Sequence, residues 1–530
     1  MTDQATPSEQ PVESPDASPA SRRLRWWPAA VIVLLGGGGM LLSWFGLGLD
    51  RTYQVMSLWI LLPTTLFALL VWWLFACRLS WPVRLVGLLV VVTGLGTLRL
   101  EEYEGDMLPV VSFRWQPTRE ERARDYFASV PEPETTAATE VVELSDGDWP
   151  EFRGPRRDGV VHGVTLSRDW KTNPPTELWR HPLGQAWSSF AVVGNRVYTQ
   201  EQRDKIEVVS CWDLQTGEPL WAHRDNDRFN EAMGGPGPRA TPTFAGSRIY
   251  SLGANGRLNC LDAATGESAW ENPPNVLEVT SGLNLDWAMS GSPLVVDGRV
   301  VVIPGGAEGG VAAFDAGTGE LSWASGKRPA SYAAPRLAEI NGQPTVLCFG
   351  GDGLTAYGIE DGGELWHVPW TNGPRVNAAL PVSVSPGRLF ISSGYGQGAA
   401  LLEVGVDGKS TTTLWQNKLM KCKFNDPVVH DGHVYGLDEG ILVCLDLETG
   451  RRRWKRGRYG YGQLLLVGDL IVVQAEKGQV ALVEATPERF RELGKFTALQ
   501  SKTWNHPVLV GDRLLVRNAD EMACFELPVE

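Results

Sequence analysis

The sequence predicts an all-β fold: an eight-bladed β-propeller of four-stranded antiparallel blades, preceded by two to three transmembrane α-helices. Three observations predict it. A motif of the form Leu-Asp-x-x-Thr-Gly-x-x-x-Trp recurs, and its closing tryptophans at 221, 270, 323, 366, 415 and 454 lie 39 to 53 residues apart. A period of about 40–50 residues with four strands per unit marks a propeller blade. A first-strand signature recurs eight times, and long apolar runs occupy residues 26–100.

The clearest copy runs from Arg248 to Trp270. Arg248 to Leu252 and Arg257 to Leu261 alternate as strands, joined by the turn Ala254-Asn-Gly256. Asn and Gly tolerate the positive φ such a turn needs. Asp262-Ala-Ala-Thr-Gly266 is a second turn, with Asp placed to bond the backbone ahead and Gly in the left-handed position. Ser268 to Trp270 opens a further strand, and Ala240 to Gly246 supplies one before. Trp212–Trp221, Phe314–Trp323 and Leu445–Trp454 are close copies; Tyr357–Trp366 and Glu403–Trp415 are degraded ones.

The first-strand copies set the blade count. They begin at Ser188, Ala240, Gly291, Ala333, Ala379, Asn425, Gly462 and Asn505, and six carry Pro at the third position. The last copy runs out near Leu527 without a fourth strand, whereas Glu177-Leu-Trp179 is an orphan fourth strand before the first blade. The ring closes if that strand completes the last blade, which removes the exposed edges.

The N-terminal part reads differently. Residues 1–25 form a tail with prolines at 7, 11, 15 and 19, too poor in apolar groups to fold. Apolar segments follow at 26–49, 53–77 and 83–98, the third shortest and interrupted near its start by Arg84. Such runs are long enough to span a bilayer, and their position and succession do not suit a cleaved signal peptide. Arg22, Arg23 and Arg25 precede the first, and Arg78 and Arg84 lie around the loop before the third. The positive-inside rule puts both places in the cytoplasm. Three spans then leave the propeller on the periplasmic side of a bacterial cytoplasmic membrane; two would leave it inside. Residues 101–147 read as a juxtamembrane helix, with a capping box at Thr118-Arg-Glu-Glu121, and an acidic linker. The propeller takes 148–530.

The repeat motif resembles the tryptophan-docking repeat of pyrroloquinoline-quinone (PQQ)-type propellers. That family includes quinoprotein alcohol dehydrogenases and the non-enzymatic BamB-type lipoproteins of outer-membrane protein assembly. The opening Asp148-Trp-Pro-Glu-Phe-Arg-Gly-Pro-Arg-Arg-Asp-Gly159 is similar to the lead-in of PQQ-like repeat proteins of planctomycete-type bacteria. The resemblance covers roughly 148–530 and is specific for fold rather than activity.

Composition narrows the function. A net charge of −14 disfavours nucleic acid, since phosphate contacts need clustered Lys and Arg. The seven cysteines include no Cys-x-x-Cys, and Cys211, Cys260, Cys444 and Cys524 share one third-strand position, which suits buried free thiols. His430 and His433 flank a hairpin but fall short of a zinc set. No Gly-x-Ser-x-Gly is present.

The channel mouth is the candidate ligand site. The loops feeding the first strands bring Trp187, Arg239, Asp286, Trp287, Tyr332, Arg375, Asn377, Asn425, Asp426, Tyr461, Trp504, Asn505 and His506 towards one funnel. Flat aromatic walls with convergent charges suit a small polar ligand. The expected function is a membrane-anchored, extracytoplasmic binding or scaffold module for a protein partner or small ligand, without a catalytic residue, metal or cofactor. The alternative is a quinoprotein dehydrogenase holding PQQ with Ca²⁺. The resembled dehydrogenases carry an adjacent Cys-Cys pair, which this sequence lacks.

Overall fold

The computed structural model describes residues 24–49, 51–103, 107–129, 141–231 and 233–530. The chain divides into two compact units, residues 1–116 and 117–530. Most of the tail over 1–25, and the part of the acidic linker over 130–140, lie outside the described residues.

The first unit holds three apolar helices. Trp27–Leu41 continues as one wide turn to Gly46, and Arg51–Val71 continues likewise to Ala76. Gly36 permits their close approach: a Cβ there would sit 2.2 Å from Thr65 Oγ1. The runs Trp27–Gly46 and Tyr53–Ala76 are long and apolar enough to cross a membrane, by length and composition. The third helix, Trp81–Gly96, has 16 residues and ends before Leu98, so it is shorter in reach than the other two. Its Arg84 lies in the opening turn, where the guanidinium donates back to Leu79 O (2.8 Å) and Leu74 O (2.5 Å). The strands Leu98–Tyr103 and Pro109–Phe113 pair as a hairpin where the end of the third apolar segment and the start of the juxtamembrane region were expected. Alternating apolar and polar residues with β-formers favour strands there.

The second unit is an eight-bladed propeller. Its helix Arg119–Ser129 opens with the reciprocal capping box: Glu121 N donates to Thr118 Oγ1 (3.0 Å), and Thr118 N donates to Glu121 Oε2 (2.7 Å). The first strands of blades 1 to 8 begin at Ala191, Thr243, Leu294, Arg336, Val382, Val428, Gln463 and Val508. Six blades have four antiparallel strands from the repeat, and blade 7 among them gains Val160–Val161 in parallel beside its first strand. Blade 8 is completed by Thr176–Pro182, which pairs with Glu521–Glu526, so the N-terminal strand closes the ring.

Blade 2, the clearest copy in sequence, has three strands rather than four. Ser268 makes a single bridge to Leu261, and the chain then turns away through Pro273 and Pro274. Prolines cannot donate the next ladder bonds. Pro274 contributes an acceptor only, taking the Leu258 N–H at 2.9 Å.

The repeated motif works across blades. Trp179, Trp221, Trp270, Trp323, Trp415 and Trp454 each donate the indole N–H to a carbonyl in the turn of the following blade, at 2.8–3.2 Å. The acceptors are Leu214, Ala263, Ala316, Ile359, Leu447 and Thr486. Five of these indoles also lie against the turn glycine, whereas Trp454 meets Phe490 edge-on (5.7 Å). A Cβ on Gly266 would meet the Trp221 ring at 2.4 Å, and one on Gly319 the Trp270 ring at 2.7 Å. Both glycines have positive φ, so side chains are barred twice. The motif aspartate folds the turn: Asp262 Oδ1 accepts from Ala264 N, Thr265 N and the Thr265 hydroxyl.

Two seams depart from the pattern. Trp366 is buried, but its N–H has no partner among the described residues. The turn it faces, in blade 5, is the degraded copy built on Asp407. Blade 7 lacks a closing tryptophan, and Trp170 fills that place from the lead-in, edge-on to Phe496 (5.9 Å) and packed on Gly494.

These seams give a direct test. Trp270→Phe keeps an aromatic ring but removes one of the two hydrogen bonds to the Ala316 carbonyl, the other coming from the Tyr250 hydroxyl (3.0 Å), and should cost about 1 kcal/mol. Trp366→Phe removes an N–H that bonds nothing, so it should cost less, while Trp270→Ala should cost about 3–5 kcal/mol. Denaturant midpoints at unchanged m-value measure all three.

Candidate functional site

The axis is closed at one end by the lead-in. Trp149 exchanges two backbone bonds with Val192 in blade 1, Phe244 N of blade 2 donates to Pro150 O, and Leu466 N of blade 7 donates to Gly159 O. The segment therefore crosses the channel. It inserts two fully buried arginines. Arg157 donates to Ser292 O (3.1 Å), Pro293 O and Pro335 O (2.6 Å), and pairs with Glu151 at 2.6 Å. Arg153 donates to Pro427 O (3.0 Å), Asp158 O (2.7 Å) and His506 Nε2 (3.2 Å), and lies 3.7 Å from Asp426. Arg336, from blade 4 itself, donates to Pro381 O (2.5 Å).

The recurrent proline before six of the first strands explains this plug. Its carbonyl precedes the ladder, and copies from successive blades converge on the axis. A guanidinium carries five fixed donors and can satisfy several such carbonyls together. Gly159 must be glycine, since it has φ +72° and its Cβ would lie 2.8 Å from Arg153 Nη2. Sequence reading noted this lead-in only as a resemblance. The two arginines within one Gly- and Pro-rich segment were the available signal.

Five of the expected funnel residues are buried structural ties. Asn377 donates to Gly350 O (2.7 Å) and Trp370 O (3.1 Å) and accepts from Ser393 Oγ (2.5 Å). Asn425 accepts from Lys423 N (3.2 Å). Asp426 accepts the Leu380 N–H (2.5 Å), joining blades 5 and 6. Asn505 donates to Ala186 O (3.2 Å) and Ser188 O (2.6 Å), joining blades 8 and 1. His506 sits against Arg153. Because the guanidinium can only donate, Nε2 accepts and Nδ1–H donates to Pro507 O (2.8 Å). Burial, reinforced by the Arg153 charge, pushes its pKa down to about 3, so the ring is neutral.

The aromatic members do come together. Ring centroids run from Trp187 to Trp504 (5.1 Å), Trp504 to Phe424 (5.3 Å), Phe424 to Trp287 (6.1 Å) and Trp287 to Tyr332 (5.2 Å). Tyr461 lies 5.8 Å from Phe424. Two buried lysines sit among them. The Lys502 ammonium is 4.2 Å from the Trp504 ring centre and 4.8 Å from that of Trp187. That of Lys423 is 4.8 Å from both Tyr395 and Tyr461. Glu476 accepts the Trp504 indole N–H (2.8 Å) and the Tyr461 amide (3.2 Å). Arg239 bends over Phe229 and donates to Gly235 O (2.6 Å), and burial lowers its pKa to about 10. Asp286 and Arg375 are exposed.

Lys423, Phe424, Lys502, Tyr395 and Glu476 were not on the sequence-derived list. Two carried a signal: Lys423-Phe-Asn425 and Lys502-Thr-Trp-Asn505 place a lysine shortly before the same repeat asparagine. The cluster can offer flat stacking faces and positive charge in a poorly hydrated setting. Among the described residues, no three His, Cys, Asp or Glu side chains converge as a metal site.

A closed eight-bladed propeller with tryptophan-docked repeats is the class this geometry defines. A family model described as outer membrane protein assembly factor BamB matches residues 170–271 and 205–456, more than half of the chain. The chain belongs to that family of PQQ-like repeat propellers. It is 25% identical over 328 residues to the outer membrane protein assembly factor BamB of Burkholderia pseudomallei, covering 53% of this chain and 82% of that protein. It is 31% identical over 159 residues to the quinohemoprotein alcohol dehydrogenase ADH-IIG of Pseudomonas putida, spanning 27% of this chain but only 21% of that enzyme. The solved BamB of Moraxella catarrhalis superposes with TM-score 0.51 at 17% identity, over 67% of this chain and all of that one. The solved ADH-IIG gives 0.53 at 13% identity, over 73% and 83%. At those identities the superpositions show fold.

His506 makes the ring acid-sensitive. Its folded-state pKa is depressed below the unfolded value of about 6.5, so the unfolded chain binds a proton first as pH falls. The stability present above pH 6.5 is therefore lost progressively down to about pH 3. By pH 5 the loss from this residue is about 2 kcal/mol. Denaturant midpoints of wild type and His506→Gln at pH 7 and pH 5 should converge by that amount on acidification.

Proposed function

We propose that this chain is a membrane-anchored, extracytoplasmic propeller that binds a partner or ligand rather than transforming one. The observation that carries the reading is the asymmetry of the axis: one end is sealed by Arg153 and Arg157, and the other presents aromatic rings with Lys423 and Lys502. The anchor is read from the two span-length helices, together with a third crossing by Trp81–Gly96. In that helix Arg84 turns back to the helix start, where a snorkelling guanidinium is tolerated. An odd number of crossings together with the flanking arginines supports a ring outside the cytoplasm.

A second surface supports a protein partner. Arg451, Arg452, Arg453, Arg456 and Arg458 are exposed on and beside the outer strand of blade 6, and none makes an ion pair among the described residues. On a chain of net charge −14, such a strip offers complementarity to an acidic segment. The BamB relatives are outer membrane protein assembly factors, which is compatible with a binding role.

The quinoprotein alternative draws on the ADH-IIG likeness. A bound quinone cofactor with Ca²⁺ would need several oxygen ligands converging on one point and a carboxylate base beside them. The residues present do not fit that group. The Asp426 carboxylate takes the Leu380 N–H and faces Arg153, and Asp286 lies out on the exposed rim. All seven cysteines are free and buried.

Two measurements test the proposal. The ring incubated with PQQ and Ca²⁺ should reduce no dye across a panel of alcohols and sugars; turnover abolished by Asp286→Asn would promote the dehydrogenase. A photocrosslinking residue at position 456, introduced in the native host, should yield a discrete protein adduct, whereas one at the exposed Val406 of blade 5 should not. Equal labelling at both sites would remove the blade 6 surface.

A further inference from the structure

The hairpin of the first unit has two unlike faces. On one, Arg99 Nη2 reaches Glu101 Oε1 (3.1 Å) and Ser112 Oγ (3.3 Å), and Ser112 donates to Glu101 (2.6 Å). Arg99 also donates to Gln116 O (3.2 Å), so this polar face is tied together. The other face is apolar. Leu98 pairs with Phe113 and Leu100 with Val111, which places all four side chains on one side of the ribbon. They are 36%, 44%, 48% and 50% exposed respectively, and Trp115, stacked on Phe113 at 4.5 Å, is 68% exposed.

We infer that this hairpin lies in the membrane interface, with Leu98, Leu100, Val111, Phe113 and Trp115 immersed at the boundary between headgroups and acyl chains. The inference builds on the anchor reading above. Three observations name the bilayer as the occupant.

The apolar face is continuous with the apolar helix Trp81–Gly96, since only Thr97 separates them. A 16-residue helix rises about 24 Å, short of the roughly 30 Å hydrocarbon thickness. An apolar ribbon at its end makes up that shortfall. The hairpin tip is also tied to the second span-length helix: Trp59 Nε1 donates to Met107 O (2.9 Å), and its ring lies 5.4 Å from Tyr103. That contact is near the start of Tyr53–Ala76, the end that an antiparallel neighbour places level with Gly96.

Chemistry then sets the depth. A two-stranded ribbon has two open edges whose backbone N–H and C=O groups cannot enter hydrocarbon unpaired. It therefore stops at the interface, where water still reaches the edges and where Trp and Tyr rings are favoured. The paired Arg99, Glu101 and Ser112 face away from the lipid. The hairpin thus acts as a float that fixes how far the short third helix sinks.

Site-directed spin labelling of the full chain tests this, in vesicles of phosphatidylcholine with phosphatidylglycerol. Nitroxides are placed singly at Val111→Cys, Ser112→Cys and Leu34→Cys, the last a 73%-exposed site on the first helix. The Val111 label should read a depth of about 5–10 Å, rich in oxygen collisions and shielded from a water-soluble nickel complex. The Ser112 label should show the reverse, and Leu34 should lie in lipid. If Leu34 is in lipid while Val111 is as open to the nickel complex as Ser112, the hairpin inference falls and the anchor stands. A Leu34 label open to water overturns the anchor, and this inference with it.

Discussion

The propeller depends on one repeated contact: an indole N–H reaching the turn carbonyl of the next blade, over a glycine that leaves room for the ring. Each blade alone is a short twisted sheet with two open edges and two apolar faces, which cannot be stable in isolation. The contact joins large apolar burial to a directional bond, so it fixes both the spacing and the register of neighbours. Six seams carry the bond, five of them over a glycine. At the seam of Trp366 the ring is buried but its N–H is unbonded, and Trp170 stands in at the seam after blade 7.

Closing the ring creates a second problem, because eight first strands bring their opening carbonyls to one axis. The solution is local and cationic. Arg153, Arg157 and Arg336 satisfy carbonyls from blades 3 to 6, and Arg517 joins blade 8 to blade 1 through Gln200 O (2.9 Å) and Gly184 O (3.2 Å). These guanidiniums are buried and their charge is costly there. Multiple bonds to each offset that cost, as buried ions require. What remains at the opposite mouth is aromatic, with Lys423, Lys502 and Glu476 set among the rings. The proposed binding role rests on that arrangement.

Much of the ring was legible because its determinants are local and repeated. Asp, Thr, Gly and Trp at fixed spacing act within one turn and one seam, and the orphan Glu177-Leu-Trp179 announced the closure. Blade 2 departed because Pro273 and Pro274, just beyond the motif, remove the donors a fourth strand needs. The hairpin at 98–113 was missed because apolar alternation of four residues beside a long apolar helix is easily absorbed into that helix. The mouth was half legible. Trp187, Trp287, Tyr332, Tyr461 and Trp504 do converge, but Asn377, Asn425, Asp426, Asn505 and His506 are consumed as ties between blades. Sequence shows that a polar residue points to the axis; it does not show which partner across the ring will take its hydrogen bonds. Arg153 and Arg157 were hidden for the same reason, since the blade carbonyls they bond lie more than 100 residues away.

If indole docking holds the ring, its seams should open in order of how completely they are docked. Native-state hydrogen exchange followed by mass spectrometry measures this on the intact chain. The account predicts that peptides flanking the two seams with an unbonded indole, Trp366 in blades 4 and 5 and Trp170 in blades 7 and 8, exchange first, while those flanking Trp221 and Trp270 persist to the global limit. Uniform exchange around the ring, or earliest opening at a fully bonded seam, would contradict it.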